Sequence, residues 1–169
     1  EINNLGVGCA TEFLEPFTPQ FIDDMISYAA IGARTTESPT HRQLASGLST
    51  PVGFKNTLSG DVKAAINAVE SSNHPQAFLG MNDHGNVSNV FTKGNKYSHV
   101  ILRGGSSPNF DEKSIEEAQK LLLEKNLCSS LIIDCSHGNS NKDYKNQSIV
   151  FKEFISQIKK GNEKLVGVM

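Results

Sequence analysis

Short apolar runs alternate along this chain with stretches whose apolar residues recur every three or four positions. The runs suit buried strands, and the recurring spacing suits amphipathic helices. Leu5 to Thr11 reads as a strand of small residues. Thr18-Pro19 reads as a helix start, with Thr18 the N-cap and Pro19 the first helical residue. Ile22, Met25, Ile26 and Ala29 would form the buried face of that helix. Ala30 to Ala33 is a very short strand, followed by a helix around His41 to Leu48 and a strand at Val52 to Phe54. Ser59 is placed to cap the next helix, whose inner face is Val62, Ala65, Ile66 and Val69. Beyond it come a strand at Val100 to Leu102, a helix over Asp111 to Lys125 and a strand at Leu131 to Ile133. Phe151, Phe154, Ile155 and Ile158 mark another helix, and Leu165 to Val168 a last strand.

This alternation predicts an α/β fold in which six parallel strands are covered on their outer side by five intervening helices. Residues 77–96 break the rhythm. Phe78-Leu79-Gly80-Met81 and Val87 to Thr92 flank a turn-forming stretch, Asn82 to Asn86. The segment reads as a β-hairpin inserted outside the main sheet. No low-complexity stretch or flexible linker divides residues 1–169, which read as a single domain.

Composition narrows the function classes. With 169 residues, 37% apolar and 20% charged, the chain can bury a sizeable core and is not a disordered segment. A net charge of −2 and the lack of any Lys/Arg run predict no nucleic-acid partner. No apolar run is long enough to cross a bilayer, and the first residues lack a signal-peptide pattern. The three cysteines, Cys9, Cys128 and Cys135, are widely spaced and odd in number, which fits reduced thiols and a cytoplasmic location.

The candidate chemistry follows the strands. Their carboxyl ends lead into Thr11-Glu12, Gly32-Ala33-Arg34, Gly53-Phe54-Lys55, Leu102-Arg103-Gly104-Gly105 and Asp134-Cys135-Ser136-His137-Gly138. Where such strands form a β/α barrel, that face carries the active site. Arg34, Lys55 and Arg103 are suited to hold a small polyanion, Arg as a planar fork and Lys as a point charge. Glu12 could orient the cations or position a water, and His137 could ligate a metal or transfer protons. Taken singly, each of these residues is more often a surface ion-pair partner, a solvated carboxylate or a hydrogen-bonded histidine. Cys135 reads as core packing, and Asn139 to Lys142 as a polar loop that caps the next helix or touches a sugar phosphate. His41, His74, His84 and His99 read as structural or surface residues in helix or loop contexts. No nucleotide-binding fingerprint or Walker motif is present.

Four blocks are more specific: Ile31 to Ser38 (IGARTTES), Pro51 to Asn56 (PVGFKN), His99 to Gly105 (HVILRGG) and Ile133 to Lys142 (IDCSHGNSNK). In order and spacing they resemble the signature blocks of type I 3-deoxy-D-arabino-heptulosonate 7-phosphate (DAHP) synthases. The resemblance covers essentially the whole chain. It implies a (β/α)8 TIM barrel, of which about six of eight strands and the inserted hairpin would be present. It also implies condensation of phosphoenolpyruvate with D-erythrose 4-phosphate, releasing phosphate, at the head of aromatic amino-acid biosynthesis. Arg34 and Arg103, assisted by the backbone of Ala33, would hold the phosphoenolpyruvate phosphate. Lys55 would pair with its carboxylate, and Glu12 would sit close by.

The same resemblance makes His137 one of four ligands to a divalent metal such as Mn2+ or Fe2+, acting as a Lewis acid on the aldehyde or activating a water. The other three ligands and a Lys-Pro-Arg-Thr-Thr block have no counterpart here, so the chain alone is expected to be an inactive portion of a barrel that does not retain the metal. Gln20, Leu44, Leu48, Ser49, Phe78, Gly80 and Val90 would line an allosteric pocket for an aromatic amino acid. Gly80 favours tyrosine, because a small residue leaves room for its hydroxyl. A homodimer or homotetramer is implied for the full-length protein. Two other readings stay open: a Schiff-base aldolase using Lys55, and a non-catalytic barrel portion that binds a phosphorylated ligand.

Overall fold

In the computed structural model, which describes every residue except Asp83, parallel pairing runs through β1 (Ala10–Glu12), β2 (Tyr28–Ile31), β3 (Val52–Lys55), β6 (His99–Leu102), β7 (Leu131–Ile133) and β8 (Leu165–Val168). These six form one sheet in chain order. The remaining two, β4 (Ala77–Met81) and β5 (Val87–Phe91), pair antiparallel as a separate hairpin with Leu79 opposite Asn89. The predicted insertion is therefore present. Asp83, within its predicted turn, lies outside the described residues.

The connecting helices are α1 (Pro19–Ile22), α2 (Pro39–Gly47), α3 (Val62–Ser72), α4 (Glu112–Glu124) and α5 (Gln147–Lys159). Side chains alternate across a strand, so each strand splits its residues between two faces. Ala29, Ile31, Val52, Phe54, Val100, Leu102, Leu131 and Ile133 pack with the apolar faces of the helices in one core. Their neighbours in sequence, including Gly53, Lys55, His99, Ile101 and Asp134, face the other way, toward the inside of the curved sheet. This is a β/α arc of the TIM-barrel kind, and its inner face supplies the site.

Several predicted boundaries shift, each for a local reason. Leu5 lies in a 3-10 turn closed by the left-handed Gly6 and is exposed, so β1 starts later, at Ala10. Thr18 is not a side-chain cap. Its own hydroxyl and backbone N–H donate to the Glu15 carboxylate instead. The helix it opens ends at Ile22 and passes into a 3-10 turn at Asp23–Met25, and Ala29 belongs to β2. Ala33 falls beyond β2 because the Gly32 carbonyl accepts from the N–H groups of Thr35 and Thr36, folding the chain into a turn. Asp61, not Ser59, caps α3 by accepting from Lys63 N at 2.8 Å, while the Ser59 hydroxyl pairs with Thr57.

Candidate active site

Lys55, Asp134 and His137 meet at one carboxylate oxygen. Asp134 Oδ2 lies 2.8 Å from Lys55 Nζ and 2.8 Å from His137 Nδ1, and Asp134 is 1% exposed. Its other oxygen, Oδ1, accepts from the backbone N–H and the hydroxyl of Ser136. Burial alone would raise the Asp134 carboxyl pKa, but the Lys55 ammonium and the Ser136 donors outweigh it, so the group is held below its ordinary range. An ionised carboxylate only accepts, so His137 Nδ1 is the donor to Asp134 and Nε2 is the nitrogen not engaged by it. His137 sits at φ 54°, a left-handed conformation that turns its half-exposed ring out of the β7 end. Asp134 was not singled out from the sequence. The signal available was an acid placed directly after the apolar run Leu131 to Ile133.

Arg103 follows β6 on the neighbouring loop and is 6% exposed. Its backbone N–H donates to Asn56 Oδ1 at 2.8 Å, and its Nη1 donates to the Gly104 carbonyl at 3.2 Å. Among the described residues no carboxylate pairs with it. Burying a guanidinium without a counterion is costly, and none of the described carboxylates supplies one. Arg34, in the turn after β2, is exposed, and Ala33 beside it is half-buried. Thr36 anchors this turn under the site, its hydroxyl donating to Lys55 O at 2.6 Å. Glu12 is exposed at the β1 end and lies against Gly32, where any Cβ would collide with its carboxylate. Lys55 and His137 are thus joined through Asp134, Arg103 is held by Asn56 and Gly104 on the neighbouring loop, and Arg34 and Glu12 are exposed at the ends of their strands.

Two sequence expectations need correction. Asn139 to Lys142 is not simply a polar cap for the next helix. Asn139 and Ser140 are buried, and Asn139 Nδ2 donates to the carbonyls of Leu102 and Asp134. His99 is not in a loop or at the surface. It begins β6, is buried, and accepts from the Tyr28 hydroxyl at Nε2, 3.0 Å away. Cys135 is buried in the core. Among the described residues no three His, Cys, Asp or Glu side chains converge, so the residues present do not by themselves make a metal centre. No described helix is long and apolar enough to cross a membrane.

A second feature lies between α1, α2 and the hairpin. A cavity of about 490 Å³ is lined by Gln20, Leu44, Leu48, Ser49, Phe78, Gly80 and Val90, among others. Its size and largely apolar wall suit a small organic ligand. Asp23 and Lys93 contribute opposite charges to the same wall. A Cβ on Gly80 would stand 2.7 Å from Val90 Cγ2, so the glycine lets the hairpin close without pushing Val90 aside.

Fold and site together define a β/α-barrel protein whose strands β2, β3 and β6 lead into or end on the cations Arg34, Lys55 and Arg103. The DAHP synthetase I family matches residues 2–169, and the chain belongs to that family. It is 48% identical over its whole length to the Tyr-sensitive phospho-2-dehydro-3-deoxyheptonate aldolase of Salmonella typhimurium, covering 48% of that protein. The Phe-sensitive enzyme of Escherichia coli is 45% identical over the whole chain, again covering 48% of the relative. The solved phospho-2-dehydro-3-deoxyheptonate aldolase of Francisella tularensis superposes with a TM-score of 0.96 at 46% identity, over 99% of this chain and 49% of that one. A Thermotoga maritima DAHP synthase shares the fold, with a TM-score of 0.67 at 14% identity. The chain spans about half the length of the curated relatives it matches.

Proposed function

We propose that the protein carrying this chain is a phospho-2-dehydro-3-deoxyheptonate aldolase, a transferase that joins phosphoenolpyruvate to D-erythrose 4-phosphate and releases phosphate. The observation that carries the reading is the buried Arg103, which lacks a carboxylate partner among the described residues. Arg103 and Arg34 would hold the phosphate, assisted by the Ala33 backbone. Lys55, steered by Asp134, would hold the carboxylate. Glu12 at the rim would position a water. Fixing both ends of the enol ether presents its terminal carbon to the aldehyde in a near-attack geometry, and cations at the departing phosphate stabilise the charge that develops there.

Lys55 as a Schiff-base nucleophile is the weaker reading. That role needs a free amine, and here Nζ is spent on the Asp134 carboxylate. A divalent cation enters the proposal only through His137, whose Nδ1 is fixed by a carboxylate in the manner usual for ligating histidines. Tyrosine is the proposed effector of the cavity at Gly80, because the absence of a side chain there leaves room for a hydroxyl. Assembly as a dimer or tetramer is part of the proposal. Leu79, Val87 and Phe91 leave an exposed apolar face on the hairpin that self-association would cover.

The test is an assay of the full-length protein following phosphoenolpyruvate loss and phosphate release together. Both should require erythrose 4-phosphate and stop on chelation. Phosphate release that ignores erythrose 4-phosphate would reject the synthase reading, and covalent trapping of substrate by borohydride would favour the Schiff-base one.

A further inference from the structure

Beneath the proposed cradle, three asparagine side chains interlock. Asn56 follows β3, Asn109 lies in the loop after β6, and Asn139 lies in the loop after β7. Asn56 Oδ1 accepts from Arg103 N at 2.8 Å and from Asn109 Nδ2 at 3.2 Å, while its Nδ2 donates to the carbonyls of Thr57 and Gly104, each at 3.0 Å. Asn109 Oδ1 accepts from Gly104 N at 2.7 Å. Asn139 Oδ1 accepts from Asn109 N at 2.8 Å, and its Nδ2 donates to Leu102 O and Asp134 O. Every amide is used at both its oxygen and its nitrogen, so aspartate cannot replace any of the three without placing an oxygen against an oxygen or losing a donor. Asn56 and Asn139 are buried, at 0% and 3% exposure.

Two properties of this cluster bear on ligand binding. It grips the backbone immediately before and after Arg103, and the backbone of Asp134, so it sets where the guanidinium and the Lys55 partner stand. It is also neutral. Carboxylates in the same places could hold the same N–H groups, but they would compete with a ligand for the cation. We propose that Asn56, Asn109 and Asn139 are positioning residues for the anion cradle, holding Arg103 and Asp134 in the ligand-ready geometry without neutralising the cation. The inference rests on the phosphoenolpyruvate reading above and adds the residues that preorganise its site.

Full-length wild type, Asn109→Ala and Asn109→Asp are titrated with phosphoenolpyruvate by calorimetry, below the unfolding range of each. Amide hydrogen exchange is followed at Arg103 and Gly104. Asn109→Ala should weaken phosphoenolpyruvate binding by roughly 10- to 100-fold, the scale of a small displacement of a binding group. Gly104 exchange should speed up, while the Ile101 amide in β6 stays protected. Asn109→Asp keeps the acceptor for Gly104 N but loses the donor to Asn56. It also sets a carboxylate oxygen against Asn56 Oδ1 and a negative charge near the cation, so its binding should fall at least as far as that of Asn109→Ala, which gives a reading even if the alanine variant fails to fold. Equal binding in wild type and both folded variants would overturn this inference alone. No phosphoenolpyruvate binding by wild type would overturn the functional reading and this inference with it.

Discussion

One buried oxygen, Asp134 Oδ2, decides how Lys55 and His137 face the site, and removing its charge should be felt first in stability. Asp134→Asn keeps the shape but leaves the Lys55 ammonium, 13% exposed, without its anion. Breaking a buried pair from one side costs roughly 3 kcal/mol, which urea denaturation would detect. Near-wild-type stability would mean that the pair is solvated. His99 gives a second residue-level prediction. Its Nδ1 donates to the Tyr97 carbonyl, so Nε2 must be the acceptor for Tyr28. Burial lowers the His99 pKa, and the Tyr97 carbonyl offsets this only in part. The folded state therefore binds fewer protons at His99 than the unfolded state does just below the ordinary histidine value. Stability from this group is complete above about pH 6.5 and is lost as pH falls through the depressed folded value. His99→Gln removes the titration, so its melting temperature should fall less than that of wild type between about pH 7 and about pH 5. Parallel curves for the two proteins would refute the assignment.

At the scale of elements, the loops after β3, β6 and β7 touch backbone to backbone. A Cβ on Gly138 would lie 2.6 Å from Gly105 N and 2.7 Å from Gly104 C, and neither backbone atom can swing away. Gly138→Ala should therefore destabilise by about 2 kcal/mol, the usual scale of overpacking, and calorimetric melting would show it. An unchanged melting temperature would mean that the loops can part. Such contacts also explain what could be read beforehand. Val52 to Phe54, Val100 to Leu102 and Leu131 to Ile133 are apolar because both of their faces are covered, so pattern alone found them. The Asn56, Asn109 and Asn139 cluster is invisible in the sequence, because each amide has a partner at least 37 residues away along the chain and a polar loop looks alike whether buried or exposed. The end of α1 was misplaced for a related reason. Ile22 and Ile26 keep helical spacing, but the chain turns at Ile22 to deliver Ala29 into β2. The strand-end cations Lys55 and Arg103 were legible because their order along the chain matches strand order in the sheet. Arg103's burial was not, since it depends on the folded loops around it.

Over the whole molecule, the cavity and the cradle share an element. Helix α2 contributes Leu44 to the cavity, and its N-terminal side continues the turn that carries Arg34 and Thr36. Thr36 in turn donates to the carbonyl of Lys55. A ligand can shift the cradle only if it binds two positions of this element unequally, so filling the cavity with protein should uncouple the sites rather than merely weaken the protein. Leu48 is the place to fill, because it lies in the cavity wall just past the last turn of α2. In the full-length enzyme, tyrosine should inhibit more strongly than phenylalanine. Leu48→Trp should reduce the ratio of uninhibited to inhibited rate by roughly 10-fold, within the range of ordinary allosteric couplings. Expressing sensitivity as a ratio removes any general loss of turnover in the variant. Retained tyrosine sensitivity in Leu48→Trp would place the effector elsewhere. Stronger inhibition by phenylalanine would remove Gly80 as the feature that makes room for a hydroxyl and leave it the packing role seen against Val90.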